Sequence, residues 1–156
     1  MILRYLEDFQ RLNTNAPNGK SRPYKPALLL AVIESIELGT IQNRRVYITP
    51  ELIAAFRRQL IILGATGAYQ SRHFAYPFYH LKNESFWRLK EKPDKKIIVT
   101  AANSITGLRQ LSEAIDYAQL DINLWELLVS NNTRNRLRNA LLGRYTMDAE
   151  ANKEAE

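Results

Sequence analysis

Apolar residues recur at helical spacing along most of the chain. Leu3, Leu6, Phe9 and Leu12 fall at three-residue steps and predict an amphipathic helix ending near Asn13. A turn-rich stretch follows, Asn15-Ala16-Pro17-Asn18-Gly19-Lys20-Ser21-Arg22-Pro23-Tyr24-Lys25. Pro26 then suits the first turn of a helix, where a missing N–H costs no hydrogen bond. Ala27 to Leu38 is so apolar that this second helix should be buried, with Gly39 as its stop. Val46-Tyr47-Ile48 reads as a short strand, and Thr49-Pro50-Glu51 as the N-cap and first turn of a helix through Leu63 that exposes Arg57 and Arg58.

Past a connection containing Gly, Ala and Ser, Tyr76 to Leu81 and Ser85 to Leu89 flank Lys82-Asn83-Glu84 and predict a small hairpin. A lysine-rich turn with Pro93 comes next. From Ser104 the pattern is helical, first through about Leu120, then at Leu124, Leu127 and Leu128, then at Leu137, Leu141 and Leu142 on a closing helix. The fold class expected is α+β, predominantly helical: a single domain with a small hairpin and a short strand packed on a helical core. Residues 1–147 would form the module, and the acidic segment 148–156, without large apolar side chains, a tail or linker. No internal repeat is visible.

Composition narrows the partners. The 156 residues suffice for one buried core, and 46% hydrophobic with 24% charged residues excludes a disordered or fibrous chain. Lys and Arg number 22 against 16 Asp and Glu, and the resulting charge of +6 favours polyanions through counterion release. The absence of cysteine excludes disulfides and thiolate chemistry and agrees with a reducing compartment. No apolar run is long enough to span a bilayer, and acidic residues stand in the first segment where a signal peptide would be apolar, so a cytoplasmic location is expected.

Candidate chemistry concentrates in Ser71-Arg72-His73-Phe74-Ala75-Tyr76-Pro77-Phe78-Tyr79-His80-Leu81, which holds both histidines of the chain. A metal centre needs three or four ligands and the segment contains no carboxylate, so no metal or cofactor is expected; packed histidines with local hydrogen bonds are the plainer reading. No carboxylate cluster or histidine paired with a nucleophile suggests hydrolysis, and Glu34, Glu37, Asp116 and Glu126 read as solvated faces or surface ion pairs. Basic residues interleaved with aromatics are more informative: Lys20, Arg22, Tyr24 and Lys25 in one loop, Arg72, His73, Tyr76 and Tyr79 in another. Two such loops can grip one phosphodiester backbone. Arg134, Arg136, Arg138 and Arg144 of the closing helix form either a solvated basic face or a further contact surface.

Tyr24-Lys25-Pro26-Ala27-Leu28-Leu29-Leu30, Tyr76-Pro77-Phe78-Tyr79-His80-Leu81 and Phe86-Trp87-Arg88-Leu89, with Leu127-Leu128, Arg134, Leu137-Arg138, Leu141-Leu142 and Tyr145, span most of the chain. In these motifs the chain resembles the sulfur-binding domain of phosphorothioate-dependent, McrA-like (type IV) HNH restriction endonucleases. The resemblance implies binding of double-stranded DNA in which sulfur replaces one non-bridging phosphate oxygen. It implies an apolar cup at Tyr76 and Pro77, with His80 beside it, and backbone contacts from Arg72, His73 and Lys25. No HNH motif follows, so the chain is expected to be a recognition module and not an enzyme, any nuclease lying in an HNH domain in cis or in a separate partner. DNA binding without sulfur preference, a metal-assisted nuclease using His73 or His80, and a protein-interaction adaptor are the competing expectations.

Overall fold

The longest apolar stretch of the sequence became the axis of the molecule. In the computed structural model, which describes residues 2–12, 23–93 and 107–155 (side chains as far as 143), helix α2 spans Tyr24–Leu38 and is buried continuously from Pro26 to Ile33. Such a helix needs neighbours on every side. They are α3 (Pro50–Ile62), α4 (Arg72–His80), α6 (Ile122–Val129) and α7 (Asn131–Ala155), all packed against it. Gly39 ends α2 in the left-handed conformation at φ 83°, which costs a residue without Cβ little, and its N–H bonds the Ile36 carbonyl. Helix α1 (Ile2–Gln10) buries Tyr5 and Phe9 and lies against α6 and α7. The Tyr5 hydroxyl donates to Asp121; burial and this carboxylate push its pKa up to about 12.

Strands β1 (Arg45–Tyr47), β2 (Trp87–Glu91) and β3 (Ile115–Leu120) form an antiparallel sheet in the order β1-β3-β2. Its inner face contributes Val46, Trp87, Ala118 and Leu120 to the core. The fold is α+β and mostly helical, as expected from the sequence, but two segments differ. Residues 76–80, expected as one arm of a hairpin, belong to α4, so β2 pairs with β3 instead of with them. Residues 115–120, expected as helix after the short α5 (Leu108–Ala114), are the central strand.

Both differences have tertiary causes. Proline inside a helix and a run of aromatics each disfavour helix locally, yet Phe74, Ala75, Phe78 and Tyr79 make one buried stripe at helical spacing. The stripe is anchored by Trp87, whose indole donates to the Phe78 carbonyl at 2.9 Å, one of the carbonyls a helix end leaves open. For β3, Leu111, Ala114, Ile115 and Ala118 also fit a helical stripe, and hydrogen bonding to a strand on each side decided the contest. The backbone of α7 is helical through Ala155, so residues 148–155 continue the closing helix. No described helix is long and apolar enough to cross a membrane.

Candidate nucleic-acid interface

The first turns of α2 and α4 lie together. Tyr24 and Lys25 open α2, Arg72 and His73 open α4, and the Tyr24 and His73 rings stack with centroids 5.1 Å apart and planes 7° from parallel. The N-terminus of each helix carries a partial positive charge, so the convergence adds to the field of the cations. Lys20 and Arg22 lie outside the described residues.

His73 is half-buried and its Nδ1 accepts the Gln70 backbone N–H at 3.1 Å. In the neutral ring the proton is then on Nε2, which can donate outward. Burial and then the Arg72 guanidinium lower its pKa, which favours that neutral form. Arg72 is exposed and makes no salt bridge among the described residues.

Helical geometry changes which side chains share a face. At four-residue steps Arg72, Tyr76 and His80 line one stripe of α4. Tyr76 is 44% exposed, and its ring meets His80 edge to face with centroids 6.3 Å apart. Pro77 is buried. Tyr76 and His80 thus share the exposed stripe of α4, whereas Pro77, which the resemblance pairs with Tyr76 in the cup, is not on the surface. His80 is itself half-buried; burial, then Lys25, then Lys82 lower its pKa. Lys25 in turn is lowered by burial, opposed by Glu84, whose carboxyl burial raises. Lys25 and His80, far apart in sequence, are thus electrostatic neighbours.

Two residues join this cluster that sequence reasoning had not assigned to it. Tyr69 packs edge to face on His73, and Arg57 of α3 lies over the Tyr69 ring at 4.4 Å. Together with Tyr24 and His73 they line a cleft of about 200 Å³. The exposed Arg57 was visible on its helix, but nothing in the sequence tied it to residues beyond the next turn.

Two arginines of the closing helix are committed elsewhere, while Arg136 is exposed and the Arg144 side chain lies outside the described ones. Arg134, only 8% exposed, pairs with Glu37 of α2 at 3.3 Å and donates to the Leu128 carbonyl at 3.1 Å, capping α6. Arg138 also pairs with Glu37, and Arg58 with Glu34, so these acids tie α2 to α7 and α3. What remains at the α2–α4 face can hold an anion and offer it an aromatic edge. Among the described residues no three His, Asp or Glu side chains come together as a metal site. Comparison with protein-family models and with curated proteins finds no match for this chain.

Proposed function

We propose that the chain is a binding module for double-stranded DNA, docking on the phosphodiester backbone through the paired first turns of α2 and α4. The observation that carries this reading is the meeting of Tyr24 and Lys25 with Arg72, His73, Tyr76 and His80 on one surface. Two basic, aromatic segments singled out separately from the sequence come together there. Arg72 and Lys25 supply charge, His73 a neutral donor, and none of these roles requires catalysis.

Within that reading, phosphorothioate sulfur is sensed at the exposed Tyr76 and its neighbour His80, in the segment where the resemblance to sulfur-binding domains implies a cup of Tyr76 and Pro77. Sulfur is larger, more polarisable and a weaker hydrogen-bond acceptor than oxygen. An ordinary phosphate oxygen pressed against the Tyr76 ring loses water without replacement, a penalty of roughly 1–3 kcal/mol. That corresponds to a preference of about tenfold to hundredfold. Cleavage, where it occurs, belongs to an HNH nuclease in cis or in a separate partner. The burial of Pro77 favours a second reading, backbone docking without sulfur preference.

Competition binding with otherwise identical modified and unmodified duplexes at fixed salt decides between them. We expect preference for the modified duplex, a loss of about 1–3 kcal/mol on both duplexes in Arg72→Ala, and a ratio near unity in Tyr76→Ala. Equal affinities for the two duplexes in the wild type would leave only the second reading. An Arg72→Ala protein that is folded and binds unchanged would remove both.

A further inference from the structure

The solvent face of the sheet carries a second set of cations and aromatic rings. Residues directly opposite in neighbouring strands share a face. Arg45, Gln119 and Arg88 form one row across the sheet, and Tyr47, Tyr117 and Lys90 form the next. Val46, Ala118 and Leu89 between them belong to the other face, where Val46 and Ala118 are fully buried. Arg45, Arg88 and Lys90 are exposed, and Tyr47 is 43% exposed.

The face is organised around its tyrosines. Tyr47 covers Tyr117 with ring centroids 5.3 Å apart, leaving Tyr117 only 9% exposed, and the Arg45 guanidinium lies over the Tyr117 ring at 4.9 Å. Arg44 donates to the Gln119 side-chain oxygen, with Nε at 3.0 Å, which brings a fourth cation to the same surface. Neither row contains a carboxylate. Among the described residues none of Arg44, Arg45, Arg88 and Lys90 makes a salt bridge. The Tyr47 hydroxyl, through a hydrogen bond, and then Tyr117 raise the Arg45 pKa, and Asp116 is the smallest of the influences on it.

We propose that this sheet face binds a single strand of nucleic acid, with a base stacked on Tyr47 and phosphates held by Arg45, Arg88 and Lys90. The charge fits a polyanion, as it would a duplex or an acidic protein. The exposed ring distinguishes them: bases within a duplex keep their faces against one another, whereas an unpaired base has a free face to stack. This surface shares no residue with the α2–α4 face, and the inference does not rest on the duplex reading.

A short fluorescein-labelled oligothymidine, titrated at fixed low salt, is the probe. Wild-type protein binds it; Arg88→Glu combined with Lys90→Glu abolishes binding. Tyr47→Ala weakens it roughly tenfold, the scale of one lost stacking contact, while Tyr47→Phe retains it. Duplex affinity is unchanged in Tyr47→Ala, which separates the two surfaces. With 5-iodouracil in the strand, irradiation cross-links Tyr47. All three substituted positions are exposed, and a melting curve verifies each fold. The proposal is overturned if folded Tyr47→Ala binds the strand like wild type, if cross-links form only elsewhere, or if polyglutamate competes as well as the oligonucleotide. Duplex binding without strand binding overturns it and leaves the α2–α4 reading standing.

Discussion

Partial burial of ionisable groups is the feature that most distinguishes the α2–α4 face. His73 and His80 both lie below the ordinary histidine value, burial being the larger cause in each and neighbouring cations the smaller. Because their folded values are depressed, the unfolded chain binds more protons once the pH falls below about 6.5. The stability they contribute is complete above that pH and is lost as pH falls through the depressed folded values. Glu84 works in the opposite sense, since a raised carboxyl contributes most at low pH. Thermal melts between neutral pH and mild acid should show Tm falling, and replacing both histidines by Gln should flatten that fall. An equally steep decline in the double variant would place the acid sensitivity elsewhere.

Capping and pairing, more than propensity, set where the elements begin and end. Thr49 sits in the extended conformation before α3 and its hydroxyl accepts the Leu52 N–H at 3.1 Å, with Pro50 and Glu51 following. Thr49→Ala should cost about 1 kcal/mol, which in a chain of this size lowers Tm by about 2–4 °C. Thr49→Ser should keep most of the loss from occurring, and a calorimetric scan of the three proteins checks it. A Tm for Thr49→Ala equal to wild type would mean that α3 is held by packing alone. Helix α4 shows the converse case, an element whose local preferences are overruled. Pro77 removes one backbone donor, and burial of Phe74, Phe78 and Tyr79 with the Trp87 to Phe78 hydrogen bond holds the segment helical regardless.

Across the molecule the net charge of +6 is unevenly used. Arg58, Arg134 and Arg138 are paired with Glu34 and Glu37 inside the framework, whereas Arg72 and the sheet cations Arg45, Arg88 and Lys90 make no salt bridge among the described residues. Duplex affinity should therefore fall with salt according to a few phosphate contacts, not to the whole charge. If Lys20, Arg22, Lys25 and Arg72 each neutralise one phosphate, log affinity against log salt has a slope of roughly −3 to −4. Arg72→Ala should reduce that slope by about one. The ratio between modified and unmodified duplex should stay nearly constant over the same salt series. Salt-independent binding, read in the same titrations, would exclude backbone docking.

The sequence alone determined the helical character of most of the chain, the buried course of α2, its stop at Gly39 and the Thr49 cap, because each is written in residues a few positions apart. It also singled out Tyr24, Lys25, Arg72 and His73 by residue type. Tertiary structure decided that Tyr24 stacks on His73, that Lys25 lies near His80, and that Arg134 and Arg138 belong to the framework. It also turned 72–80 into a helix that exposes Tyr76 and buries Pro77, and 115–120 into a strand whose outer face gathers Arg45, Tyr47, Arg88 and Lys90. The physical reason is common to these cases. Local periodicity in both segments was compatible with more than one backbone, and the choice came from hydrogen bonds and burial against residues far away in the chain, which no short window of sequence contains.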